Sequence, residues 1–586
     1  MKNAFAVSLS LLLLGASAIA QTAPAAKSDK RAGTISGRIT DTAGQPIPNA
    51  FIYVNGASSL RRESRNTSTD EQGRFRVADL ARGVYNVIPR VAGYVMAEDE
   101  SSRRYRAGDT ANFTMTKGGV ITGTVTSHTH ELLTGCNVQA LLTRDKDGHA
   151  VTVSRPGPIA QTDDRGVYRI YGLPPGTYLV VATGKHPYGF EPSVYDNDVP
   201  TYYPSSTRDM AQAVTVQAGE EAGGIDIQYR GERGHAISGK MLGIPADAAN
   251  VGFALELYNV ATRAIEAQNF AGINAPGGSN DGFAFYGVAD GDYMVAATTN
   301  SFYGTFKANG RAYVKVRGAD VTGVEIPLTA YGAIAGTLVI ERLPSTEGQS
   351  KCEVKRRLMP DEVLLEARAE KKAAEFSPNA TGARQDAPSD KGDFAFNGLE
   401  AGQYRVLPVM AGEDYFVKSL TLPAPAKNQP PVNAARAPLT VKAGERLGDL
   451  TVTLAEGAAA LRGRVVPTTE GARLPDRLRV HLVPAEKEAA GDLLRYHETR
   501  VAADGAFTFQ SLAPGRYLIL ARPPVDDEAN DEAARPVAWD AAARTVLLKQ
   551  ATAADLVLDL QPCQRSINYA LKYTPPAPLP VRKKSP

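Results

Sequence analysis

Apolar and polar residues alternate in short runs along nearly the whole chain, and Gly, Pro, Asn and Asp break the runs. Period-2 alternation marks half-buried strands, and the breakers mark turns. Residues 162–184, TDDRGVYRIYGLPPGTYLVVATG, show the pattern most fully: a strand, a turn at Leu173-Pro174-Pro175-Gly176, and a second strand. Counted from Gly166, the stretch has an aromatic at +2, an apolar residue at +4, Leu or Val at +7, Gly at +10 and Tyr (Tyr178) at +12. The same spacing starts at Gly73, Gly392 and Gly505 and ends on Tyr85, Tyr404 and Tyr517. A further copy has Asp281 in the first place, then Phe283, Phe285, Val288, Gly291 and Tyr293.

Shorter motifs flank each copy. ISGRI (35–39), ITGTV (121–125), ISGKM (237–241), IAGTL (334–338) and LRGRV (461–465) precede them. Each is a strand whose central Gly admits the close approach of another backbone or a ring. Alternating runs NFTMT, GIDIQY, GVEIPL, DLTVTL and DLVLDL close the units. The units fall at residues 32–118, 119–230, 235–331, 332–456 and 459–562, close to the ~100-residue modal size of a domain. Each has about seven short strands, which need a second sheet to bury one face. The chain is therefore read as all-β, a tandem array of about five β-sandwiches. The +12 Tyr belongs in the core with its hydroxyl on a backbone group. Of the aromatics at +2 and +4, one is expected in the core and the other under a loop or at a junction. Positive φ is expected at the +10 glycines, Gly83, Gly176, Gly291, Gly402 and Gly515. Pro360 to Phe376 has a helical composition, but the repeat places Val363 to Ala367 on a strand.

ISGRITDTAGQPIPNAFIYV followed by TDEQGRFRVADLARGVYNVIPRVAGY resembles a carboxypeptidase regulatory-like domain. Units one, two and five resemble it well and units three and four more loosely. The resemblance implies a prealbumin-like (transthyretin-like, Ig-like) sandwich related to the Cna-B and starch-binding-like folds. It implies no peptidase activity, because the domain accompanies a separate catalytic domain in metallocarboxypeptidases.

Residues 1–20, with Lys2, an apolar run from Ala4 to Leu14 and Ala18-Ile19-Ala20, read as a signal peptide. Residues 21–31 read as a leader, and 563–586 as a Pro/Lys-rich tail unable to build a core. The expected location is periplasmic, outer-surface or extracellular, with no integral membrane segment in the mature chain. A formal net charge of +2 and the lack of a basic patch argue against nucleic acid. Cys136, Cys352 and Cys563 allow at most one disulfide.

The chemistry is sparse. His128-Thr129-His130-Glu131 carries HxxE spacing with His235 downstream, but it sits in a turn of a β repeat with no α/β catalytic core. Gly234 to Lys240 imitates a phosphate loop but precedes a strand. Asp145-Lys146-Asp147-Gly148 lacks the closing Glu of a calcium loop and reads as a hairpin turn. A Cna-B-style cross-link would need a first-strand Lys, offered by Lys240 alone. No catalytic residue, metal ligand or cofactor is assigned. The candidate ligand contacts are aromatic: Tyr195, Tyr202 and Tyr203 in the long loop of unit two, with Tyr188 and Phe190, and Trp539 in the insertion of unit five. These rings either stack on sugar or cover a sandwich end or junction. The expectation is a non-enzymatic exported array, adhesive or scaffolding, with polysaccharide or another surface protein as partner. The alternatives are carbohydrate binding and an accessory role in a metallocarboxypeptidase system.

Overall fold

The alternating runs become strands, and the strands pair as sandwiches. The computed structural model describes residues 33–574, apart from 59–62, 97–102, 152–157, 185–192, 245–251, 272–280, 300–306, 344–355, 371–382, 411, 425, 470–472, 476 and 524–535. Residues 1–32, which hold the expected signal and leader, Tyr188, Phe190, Cys352 and residues 575–586 lie outside the described residues.

The first unit shows the plan. One sheet has the order Arg74–Leu80, Gly33–Asp41, Phe113–Lys117, Tyr94–Met96, and the other Ser64–Ser68, Phe51–Gly56, Val84–Arg90, Tyr105–Arg106. Ile35, Ile52, Phe75, Tyr85 and Phe113 fill the space between them. The first strand of each unit pairs antiparallel with the strand carrying +2 and +4, and parallel with the closing strand. Each repeated stretch encloses its own apolar cluster. In the third unit the hairpin Ala308–Val316 and Val321–Ala330 joins both sheets into one of seven strands.

The central glycines have a steric reason. A Cβ at Gly37, Gly123, Gly239, Gly336 or Gly463 would overlap the carbonyl oxygen of Ala111, Ile225, Val324, Leu450 or Tyr569, on the parallel closing strand or two residues before it. The five +12 tyrosines are likewise equivalent. The hydroxyls of Tyr85, Tyr293, Tyr404 and Tyr517 donate to the carbonyls of Ala81, Ala289, Glu400 and Ala513 at 2.7, 3.1, 2.9 and 2.8 Å. Tyr178 does the same to Pro174. Each ring is buried and each hydroxyl is satisfied four residues upstream, as a buried phenol requires.

Four expectations are corrected. The aromatics at +2 and +4 both enter the core, because residues two apart on a strand share a face; Phe283–Phe285, Phe394–Phe396 and Phe507–Phe509 lie 6.1, 5.5 and 6.1 Å apart. Of the +10 glycines, Gly83 and Gly515 have the expected positive φ, 158 and 136°, but Gly176, Gly291 and Gly402 do not; the position that has it in all five units is +6, on Asp79, Gly172, Gly287, Gly398 and Ser511, with φ between 56 and 75°. There the +2/+4 strand bulges and its register against the first strand shifts. The DLVLDL run is not the closing strand of unit five: Val557–Leu560 pairs antiparallel with Gly515–Arg522. The parallel partner of Ala459–Pro467 is Arg565–Tyr573, so residues 565–573 belong to the sandwich and not to a tail. Leu571 and Tyr573 are buried in its core.

Leu364–Ala369 is a strand despite its helical composition, since Leu365, Ala367 and Ala369 fill the core of unit four. The α-helix among the described residues, Ala541–Ala554, lies on the outer face of unit five, packing Leu547 and Ala551 against Val483, Leu518 and Leu520.

Candidate functional site: the faces that join the units

The +6 bulge recurs where units meet. A Cβ at Gly287 would press on the carbonyls of Asp196 and Asp198 from unit two, and Gly234 donates its N–H to Asn197 O at 2.9 Å. In unit five Ser511 Oγ donates to Gly412 O at 3.0 Å, and Gln510 reaches Glu413 at 3.1 Å. At the unit-two bulge a Cβ on Gly172 would lie 4.0 Å from Tyr94 O of unit one, and one on Gly118 would overlap Gly172; the Gly118 N–H itself is held within unit one by Gly93 O at 2.8 Å. In these three junctions a turn of one unit seats at the bulge of the next. At Gly172 and Gly287 the left-handed backbone leaves no side chain in the way, whereas in unit five the Ser511 side chain itself makes the contact. Units three and four meet through Arg311 and Glu400, 2.5 Å apart and mostly buried.

Unit four carries two further junctions on the outer face of its second sheet. At one end Arg405 is clamped by Glu370 within the unit and lies 5.8 Å from the ring of Trp539 from unit five. Leu407 packs into the cluster of Leu493, Ala538 and Trp539, and Leu493 donates its N–H to Ala435 O at 3.3 Å. A guanidinium over a tryptophan face is held by the ring quadrupole as well as by packing.

At the other end unit four meets unit one, passing over units two and three in sequence. Arg82 Nε donates to Asp361 Oδ1 at 2.7 Å. Arg106 Nε donates to Glu362 O at 3.0 Å. Arg356 donates to Ala107 O at 2.9 Å, stands 3.4 Å from Asp109, and pairs with Glu362 of its own unit. Arg104 reaches Gln385 Oε1 at 3.3 Å, and Ser58 Oγ donates to Ala387 O at 3.1 Å. The apolar part is small: Val84, Leu364 and Ala387, with Ala57 beside them. Burial holds the Arg106 guanidinium below its ordinary value, opposed by the charges of Glu362 and Asp109.

The candidate aromatics are packed rather than displayed. Tyr202 is 7% exposed, sits with Leu141 and Val181, and burial pushes its phenol up to about 12. Tyr195 and Tyr203 pack on the core of unit two; Tyr195 lies 5.5 Å from Tyr229 and donates to Thr134 O at 3.1 Å. Trp539, also 7% exposed, is the junction residue described above. Tyr202 and Trp539 therefore offer no open face, while Tyr195 and Tyr203 are partly buried.

Of the remaining polar candidates, those with peptidase-like spacing do not converge. His128, His130 and Glu131 lie exposed on a turn closed by Ser127 N–H to Glu131 O at 2.7 Å. His235 opens the first strand of unit three, 3.4 Å from Asp290 and 3.9 Å from Asp320. Asp145, Asp147 and His149 do converge, on an exposed hairpin turn where Lys146 pairs with Asp147 at 2.8 Å. Lys240 is an exposed partner of Glu325 at 3.4 Å. Cys136 is free and buried, its thiol pushed up to about 12 by burial, and Cys563 is disulfide-bonded. Sequence reasoning missed the junction charges altogether, because Arg82, Arg106, Asp361 and Glu362 look like solvated residues at strand ends.

Residues 34–116 match the family model of the carboxypeptidase regulatory-like domain. A search of curated proteins finds no match. Among solved structures, a streptococcal ancillary pilin aligns at 16% identity over 33% of this chain and 64% of its own, with a TM-score of 0.17. A minor pilin of Streptococcus agalactiae aligns at 12% identity over 34% of this chain and 96% of its own, with a TM-score of 0.19. The Bacillus anthracis TIE protein aligns at 11% identity over 73% and 76% of the two chains, with a TM-score of 0.13. No helix among the described residues is long and apolar enough to cross a membrane.

Proposed function

We propose that the chain is a non-enzymatic structural protein, a scaffold of β-sandwiches built for the surface or periplasm of the cell that exports it. The observation that carries this reading is where the outer faces of the sheets are spent. Trp539, Arg405, Leu407, Val84 and Leu364 occupy positions that would line a ligand platform in a binding module, and here they fasten one unit to another. The polar candidates for hydrolysis are dispersed: a peptidase site needs a metal or nucleophile with a base in one place, whereas His128 and Glu131 share an exposed turn and His235 opens another unit. Elemental analysis of the purified mature chain, with a carboxypeptidase assay on C-terminal peptide substrates, tests the reading. It expects no stoichiometric zinc and no turnover. One zinc per chain, with turnover abolished by His128→Ala or Glu131→Gln, would overturn it.

A further inference from the structure

The contact between unit one and unit four differs from the others. The paired residues are 247 to 329 positions apart. They meet through guanidiniums, carboxylates and carbonyls, with only a small apolar cluster between them. Charges of this kind return to water when the faces part, so both open faces are tolerated in solvent, while a mismatched partner is rejected by unpaired or like charges. The two faces are also different surfaces. Unit one supplies Arg82 and Arg106, and unit four supplies Asp361 and the Glu362 carbonyl. Unit one of one chain therefore fits unit four of another with the same contacts it makes at home, and two chains that exchange reciprocally make the full set twice. Such exchange is a low-cost route to a closed dimer.

We propose that the contact between units one and four is an exchangeable latch, closed within one chain or reciprocally between two copies. Units two and three lie between the two faces in sequence and supply the length of chain for exchange. In dilute solution the tethered partner wins by effective concentration, in the millimolar range for flexible tethers; dense display on a surface favours the exchanged form. The inference rests on the scaffolding reading, but failure of exchange leaves that reading standing, whereas zinc-dependent turnover would remove it.

The test uses charge reversal in the full mature chain. Arg82→Glu alone and Asp361→Arg alone each set like charges against each other within one chain. Mixed, they restore two opposite pairs, but only between chains. Analytical ultracentrifugation is expected to show each single variant as a more extended monomer and the equimolar mixture as a species of twice the mass. The variant carrying both substitutions is expected to be a compact monomer, which also shows that neither change prevents folding. A mixture that stays monomeric overturns the exchange, and single variants as compact as the parent overturn the latch.

Discussion

At the scale of the residue, the repeat is a set of backbone problems solved five times. The +12 Tyr was legible because its aromatic character and spacing recur, and a buried phenol needs an acceptor. The +6 position was not, because Asp79, Gly172, Gly287, Gly398 and Ser511 share a backbone conformation and not a residue type. Removing one corner hydroxyl, as in Tyr517→Phe, should cost about 1 kcal/mol, seen as a lower denaturant midpoint for unit five; no change would make the bond to Ala513 dispensable. Gly287→Val meets both a φ of 61° and the carbonyl of Asp198. It should cost at least about 1–3 kcal/mol and speed proteolysis between units two and three; unchanged proteolysis would remove the bulge as a seat. His481 adds a pH term. Burial, then the charges of Arg522 and Arg479, push its imidazole down to about 3, although Glu498, paired with Arg479 at 2.5 Å, also stands 3.6 Å from the ring. The unfolded imidazole titrates near 6.5, so the unfolded chain takes up the proton first. His481 stabilises unit five fully above pH 6.5 and loses that contribution as the pH drops toward 3, by up to about 1.4 kcal/mol per pH unit; His497, held down to about 4 by burial and then by the charge of Arg495, adds to the same slope down to pH 4. Melting temperatures between pH 7 and 4 should show this slope, and His481→Gln should reduce it to the part that His497 carries; an unchanged slope would assign the loss to other groups.

At the scale of the element, strands were legible wherever alternation was strong, and the repeat register decided correctly for Leu364–Ala369 against its helical composition. The register misled once. DLVLDL alternates better than RSINYALKY, but the helix Ala541–Ala554 intervenes and delays the closing strand to Arg565–Tyr573. Pattern strength records burial of one face and says nothing of which neighbour a strand will pair with. A chain ending after residue 562 should therefore lose the cooperative unfolding of unit five, while one ending after residue 574 should keep it. Equal stability of the two would return residues 565–573 to the status of a tail. Leu571→Ala should act in the same direction, by about 2–5 kcal/mol. The helix depends on Asp540, whose carboxylate accepts the Ala543 N–H at 2.7 Å. Asp540→Ala should cost about 1 kcal/mol and loosen Trp539 beside it, read as a shift in the fluorescence of the chain's one tryptophan; an unmoved spectrum would separate the cap from the junction.

At the scale of the whole molecule, the sequence reads as independent sandwiches in line, and the structure adds contacts between units that are not neighbours in the chain. Those contacts were illegible because they are made by charged residues at strand ends and on outer faces, where a polar residue ordinarily means solvent. Arg82, Arg106, Asp361 and Glu362 turn that surface into a junction, and Trp539 and Arg405 make a second one on the same sheet of unit four. Unit four is thereby the hub, touching units one, three and five. Small-angle X-ray scattering of the dilute mature chain tests this closure most directly. The account predicts a pair-distance distribution that ends well short of five sandwiches in line and lengthens in the Asp361→Arg variant. A parent profile already as long as a linear string, unchanged by that substitution, would contradict it.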